Sequence, residues 1–129
     1  MPRCAFLLPT VLMAAVLAGP ATAQMPRPFP ATALRGELRI EQPPVVTLNG
    51  EPARLAPGAR IRGEDNLLKL SGALVGRELT VHYTVDPYGL LLDVWILTAP
   101  ERARKPWPTT PAEAAAWRFN PAAQVWSRP

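Results

Sequence analysis

The side chains able to do acid–base, nucleophilic or metal chemistry are few: one histidine, His82, one cysteine, Cys4, and the serines Ser71 and Ser127. A zinc site takes three or four nitrogen or sulfur ligands, which this inventory does not supply, so no metal is expected. His82 with Asp86 or Asp93 makes at most a partial site, and a lone histidine on the wet face of a strand is ordinarily a solvated polar residue. Neither serine sits in the Gly-x-Ser-x-Gly elbow of a hydrolase, so a triad of Ser71, His82 and Asp93 is arithmetic on a small alphabet rather than a motif. Glu64-Asp65, or Asp86 with Asp93, would be the paired carboxylates of a glycosidase, yet the first pair fills a turn and the second flanks a hairpin. Gly72 to Gly76 lacks the Gly-Lys-Ser/Thr ending of a phosphate loop. The catalytic arrangement carried forward is a minor hydrolase using His82 and Asp93.

Recognition chemistry is better supplied. Tyr83, Tyr88, Trp95, Trp107, Trp117 and Trp126 are many aromatics for a chain without an enzyme motif, and aromatics with arginine dominate recognition patches. Arg60, Arg62, Tyr88 and Trp95 are the candidate binding residues. The competing expectation is that Tyr83 and Trp95 are core and that the C-terminal tryptophans merely pin the tail. No cofactor is expected, and nucleic acid is not the expected partner. Without Arg3, the 14 basic residues fall to 13 against 10 acidic ones, and Arg35, Glu37, Arg39 and Glu41 alternate in sign instead of clustering one charge. Arginine far outnumbers lysine, which fits guanidinium recognition of phosphate or carboxylate and equally fits the codon bias of a GC-rich genome.

The elements that must position these residues read as short strands. Leu34 to Glu41 alternates without a break, and Pro43-Pro44 stops it. Val45 to Leu48, Asn49-Gly50 and Glu51 to Leu55 form the strongest hairpin signal, with Pro52 placing the returning arm at a sheet edge. Ala56-Pro57-Gly58 predicts a turn leading into a short strand at Ala59 to Arg62. Leu67 to Leu70 is another short strand, followed by a turn or single helical turn at Ala73 to Gly76. Glu78 to Val85 and Leu90 to Leu97 flank the loop Asp86-Pro87-Tyr88-Gly89. The second of these arms is apolar on both faces apart from Asp93, as a central strand would be. Glu101 to Lys105 reads as a solvated connector. Thr110-Pro111-Ala112-Glu113 opens a helix of about two turns near residues 111–118, anchored by Trp117 and Phe119. Val125-Trp126 offers a last apolar contact. The expectation is an all-β fold, a small antiparallel barrel or sandwich of OB-like or SH3-like size with a short C-terminal helix.

Ahead of that domain, Arg3, the apolar run Ala5 to Ala18 and Ala21-Thr22-Ala23 have the three parts of an export signal, with cleavage between Ala23 and Gln24. The run is shorter than the ~20 residues that cross a bilayer and contains Pro9, so an uncleaved anchor is not expected. Cys4 precedes the apolar run, where a lipoprotein acceptor would follow it. The organisation is therefore a signal peptide at 1–23, a Pro-rich extended and solvated lead-in at 24–31, a β domain at 32–100 and a C-terminal extension at 101–129. After cleavage the protein is expected to be periplasmic or secreted, without a disulfide and without an integral membrane span.

Taken together, Leu48-Asn49-Gly50, the run Leu55-Ala56-Pro57-Gly58-Ala59-Arg60-Ile61-Arg62, Asp86-Pro87-Tyr88-Gly89 and Val94-Trp95-Ile96-Leu97 resemble a group of small exported proteins of proteobacteria with no assigned activity. The stretch from Pro108 to Trp117 is similar to their C-terminal helix. The resemblance implies a periplasmic setting and transfers no catalytic residue. The function expected is binding or scaffolding of an unknown protein or envelope component, without catalysis. The alternatives are the hydrolase above and an envelope-associated structural role, with the lead-in and the aromatic tail as contact arms.

Overall fold

Alternation of apolar and charged residues drives the first strand. In the computed structural model, which describes residues 26–129, β1 spans Leu34–Gln42 and buries Leu34, Leu38 and Ile40 while Glu37, Arg39 and Glu41 stay exposed. The expected signal peptide, with Gln24 and Met25, lies outside the described residues. Asn49 and Gly50 take φ values of 52° and 79°, as a type I′ turn requires, and join β2, Val45–Leu48, to β3, Glu51–Arg62.

The turn expected at Ala56-Pro57-Gly58 does not reverse the chain. Gly58 adopts a φ of 78° inside β3, and the ladder from β3 to β6, Leu91–Ile96, shifts register between Leu55 and Arg60. A proline without an N–H and a left-handed glycine make a bulge here, and the strand continues beyond it. β4 is only Leu68–Lys69, shorter than the strand expected from Leu67 to Leu70. Those leucines face no core: Leu67, Leu68 and Leu70 are 63%, 66% and 81% exposed. A single 3-10 turn at Ser71–Leu74 instead carries Leu74 into the interior, and β5 follows at Glu78–Val85.

These strands form one sheet in the order β2-β1-β5-β6-β3-β4, and β2 also pairs with β3. Every pairing is antiparallel except β3 with β6, which is parallel. The sheet is thus mixed where an antiparallel one was expected. The chain between the two parallel strands, through β4, the 3-10 turn and β5, is the long connection that such neighbours need. β6 lies between β5 and β3, the central place its apolar pattern predicted. On one side of the sheet Leu38, Ile40, Val46, Val81, Leu91 and Val94 form a continuous core, each worth ~1.5–3 kcal/mol when fully buried. Gly36 lets it close, because a Cβ there would come within 3.0 Å of Leu48 and 3.1 Å of Tyr83.

The other side is covered by a second apolar cluster of Phe29, Ala33, Leu97, Trp107 and Trp126, with Trp95, Trp117 and Phe119 packed against it. The C-terminal extension gives it Trp107, Trp117, Phe119 and Trp126; around these the chain forms α1 (Ala99–Ala103), α2 (Pro111–Ala116) and the hairpin of β7 (Arg118–Asn120) and β8 (Val125–Ser127). α2 begins as read, with the Thr110 side chain accepting from the Glu113 amide. α1 replaces the expected solvated connector. Thr98 and Glu101 close a capping box with Pro100 in the first turn, the same Thr-x-x-Glu signature that marks α2. The lead-in also departs from expectation: Phe29 is 3% exposed and belongs to this second cluster.

Candidate functional site

Parallel register decides which candidate residues meet. Arg60 stands beside Asp93 and Arg62 beside Trp95, so the two arginines of β3 share a face with the acid and the indole of β6. Arg62 Nη1 lies 3.4 Å from Asp93 Oδ1, and its guanidinium carbon sits 5.9 Å from the Trp95 ring centre. Trp95 in turn meets Phe29 edge-on at 5.6 Å. Arg62 and Trp95 are therefore partly structural, forming a wall between open surface and the aromatic layer. Arg60 is exposed and pairs with no carboxylate among the described residues. Tyr88 stands apart, 88% exposed at a loop tip. Asp86 fixes that loop, its Oδ1 accepting from the amides of Tyr88 and Leu90, each at 2.9 Å, as aspartate does in turns.

His82 is not on a wet face. It is 1% exposed, stacked on Trp107 with ring centres 4.0 Å apart and met edge-on by Phe29 at 4.4 Å. His82 does face away from the main core, but Trp107 of the C-terminal extension and Phe29 of the lead-in cover it there. Arg35 reaches His82 Nε2 with Nε at 3.3 Å and Nη2 at 3.2 Å. A guanidinium only donates, so Nε2 is the acceptor and the ring proton sits on Nδ1, which has no hydrogen-bond partner. Burial first, then the charges of Arg35, Arg27 and Arg104, push the imidazole pKa down to about 2. The ring is held neutral with its lone pair engaged, which is the opposite of a poised base. No hydrogen bond links it to Asp93, which is committed to Arg62 and whose amide donates to Thr84 Oγ1 at 3.2 Å.

Guanidinium groups also lock the outer layer to the sheet. Arg35 donates to the main-chain oxygens of Glu101 at 2.8 Å and Arg104 at 2.8 Å. Arg27 grips Glu101 with two nitrogens, Nε to Oε2 at 2.9 Å and Nη2 to Oε1 at 2.5 Å, and reaches Gly63 O and Ile96 O at 2.8 Å each. Burial works to raise the Glu101 pKa and is the largest single influence, yet the bonds from Arg27 and Thr98 together bring it below the usual carboxylate value. Arg27 and Glu101 thus join the lead-in to α1 as a nearly buried ion pair.

A second feature went unread in the sequence. Two adjoining clefts, of about 420 Å³ and 460 Å³, share Pro44, Leu55 and Ala56 in their walls. Pro43, Lys69 and Leu70 border the first; Arg54 and Leu90 border the second. Neither wall contains a carboxylate. The sequence signal for these clefts is the Pro57-Gly58 interruption inside an otherwise regular strand, which fits a turn equally well. Among the described residues there is no group of three metal-ligating side chains and no helix long and apolar enough to cross a membrane.

Compared with family models, with curated proteins and with solved structures, the chain matches none.

Proposed function

We infer that this chain is an exported periplasmic binding module on a closed five-stranded barrel of OB-like connectivity. The pairings support the barrel: β1–β2, β2–β3, β3–β6, β6–β5 and β5–β1 make a ring, with β3 and β6 its parallel pair. In barrels of this kind the outer face of the second and third strands and the adjacent loops take extended ligands. The observation that carries the binding reading lies on that face. Arg54, Arg60 and Arg62 all point outward from β3, and only Arg62 has a carboxylate partner among the described residues. Unpaired guanidinium groups beside clefts without acids suit an anionic partner, either a protein or another envelope component. The export signal and the likeness to small exported proteobacterial proteins support the periplasmic setting.

Arg60→Ala tests the reading. The variant keeps the wild-type melting temperature, because Arg60 holds nothing in the fold, while crosslinked periplasmic partners captured by the wild type disappear. Arg62→Ala is the contrasting variant, since it also uncovers Trp95 and strands Asp93. Retention of every captured partner by Arg60→Ala overturns the proposal.

A further inference from the structure

β3 has a gap beside it. On one flank its ladder with β2 stops at Arg54, where Val45 is the last partner, and the Leu55 amide donates to Pro44 O at 2.8 Å. Further along the same edge, pairing with β4 starts only at Ile61, opposite Lys69. Between these points, on this edge only, residues 56–60 have no strand alongside among the described residues; β6 lies along the opposite edge. The smaller cleft lies over that stretch, with Pro43 and Pro44 at one end and Lys69 and Leu70 at the other. Both boundaries diverge for identifiable reasons. Two consecutive prolines cannot continue a ladder, and the chain after Lys69 leaves for the 3-10 turn. Leu70, 81% exposed, overhangs the opening, and a side chain built on Gly58 would meet nothing within 4 Å.

We propose that an extended acidic peptide fills this notch, adding as a short strand along residues 56–60 of β3. The inference rests on the binding-module reading and names the partner for it. Main-chain groups on an open sheet edge are completed by another main chain, and natural sheets cover or charge such edges when nothing is meant to pair there. Here, among the described residues, no strand or helix covers the edge; Pro57 removes one donor and the bulge bends it, while the charges beside it are cationic and so deter a basic chain but not an acidic one. Five residues of strand run about 17 Å, enough for a peptide of four to six residues. Charge selects its character, because among the described residues Arg54 and Arg60 have no carboxylate partner, Lys69 adds a third cation paired only with Asp65, and the cleft walls carry no acid. Pro44, Leu55 and Leu70 offer apolar contacts for the alternate side chains. The peptide is thus an acidic one with aliphatic residues between its carboxylates.

The test uses fluorescein-labelled hexapeptides with glutamate at alternate positions and alanine, valine or leucine between, titrated by fluorescence anisotropy. Binding is expected to weaken about tenfold or more for Leu70→Glu and for Arg54→Glu, and to the same degree when alternate peptide amides are N-methylated. Melting temperatures report that both variants remain folded. Absence of binding at millimolar peptide, equal binding of the N-methylated peptides, or equal competition by dextran sulfate each overturns the inference. If Arg60→Ala loses captured partners while Leu70→Glu keeps them, the peptide inference falls and the binding module stands.

Discussion

Burial first, and then the charge of Arg35 against the ring, keep His82 neutral, and this makes it a source of pH dependence. In the unfolded chain the imidazole titrates near 6.5, whereas in the fold it does so only at about 2. Below pH 6.5 the unfolded state therefore binds a proton that the native state refuses. The His82 contribution is complete above that pH and is lost as pH falls, by up to about 1.4 kcal/mol per unit. Glu101, whose pKa is lowered, acts in the same direction but only below the ordinary carboxylate range. Thermal melts between pH 6.5 and 4.5 isolate the histidine. The wild type should lose stability steadily across this window, and His82→Gln, whose amide oxygen can still accept from Arg35, should not. Parallel slopes for the two proteins would refute the assignment. At Arg27, truncation to alanine leaves Glu101 as a charge whose side chain is 7% exposed, so urea unfolding of Arg27→Ala should show a loss of about 3–5 kcal/mol.

At the scale of elements, the outer layer is as much part of the fold as the strands. Trp107 stacks on His82, donates from Nε1 to Ala33 O at 3.0 Å and meets Phe119 and Trp126 edge-on. Trp107→Ala should therefore cost about 3–5 kcal/mol in denaturant unfolding, as large aromatic truncations in a core do. A solvated tail would give no measurable change. The strands were legible because their alternation is local: β1, the Asn-Gly hairpin and the β5–β6 pair follow from period two and turn residues. The second layer was not. A covered outer face and a wet one have the same alternation, so His82 reads as solvent-facing until Trp107 and Phe29 are placed over it. The helix near 111–118 and the missed α1 carry the same capping signature. Charge around Glu101 concealed the second, since Arg27, the partner that removes its cost of burial, is far away in sequence. Of the four binding residues, the register of a parallel strand pair brought three together, and no local pattern discloses this register.

For the molecule as a whole, two clusters on opposite sides of one sheet share their strands. Trp95, Trp107, Trp117 and Trp126 all belong to the outer layer, whereas Tyr83 lies in the inner core. Tryptophan emission and far-ultraviolet dichroism should trace one coincident urea transition, because the same β5 and β6 backbone carries both clusters. Two separated transitions would make the layer an independent lid. Export is checked on the same scale: the intact mass of protein from a periplasmic fraction should begin at Gln24. His82 carries a single ring N–H proton, on Nδ1. Sealed behind Phe29 and Trp107, it meets deuterated solvent only when the aromatic cover lifts. Its magnetic resonance signal is a built-in clock for breathing of that cover, readable without any label.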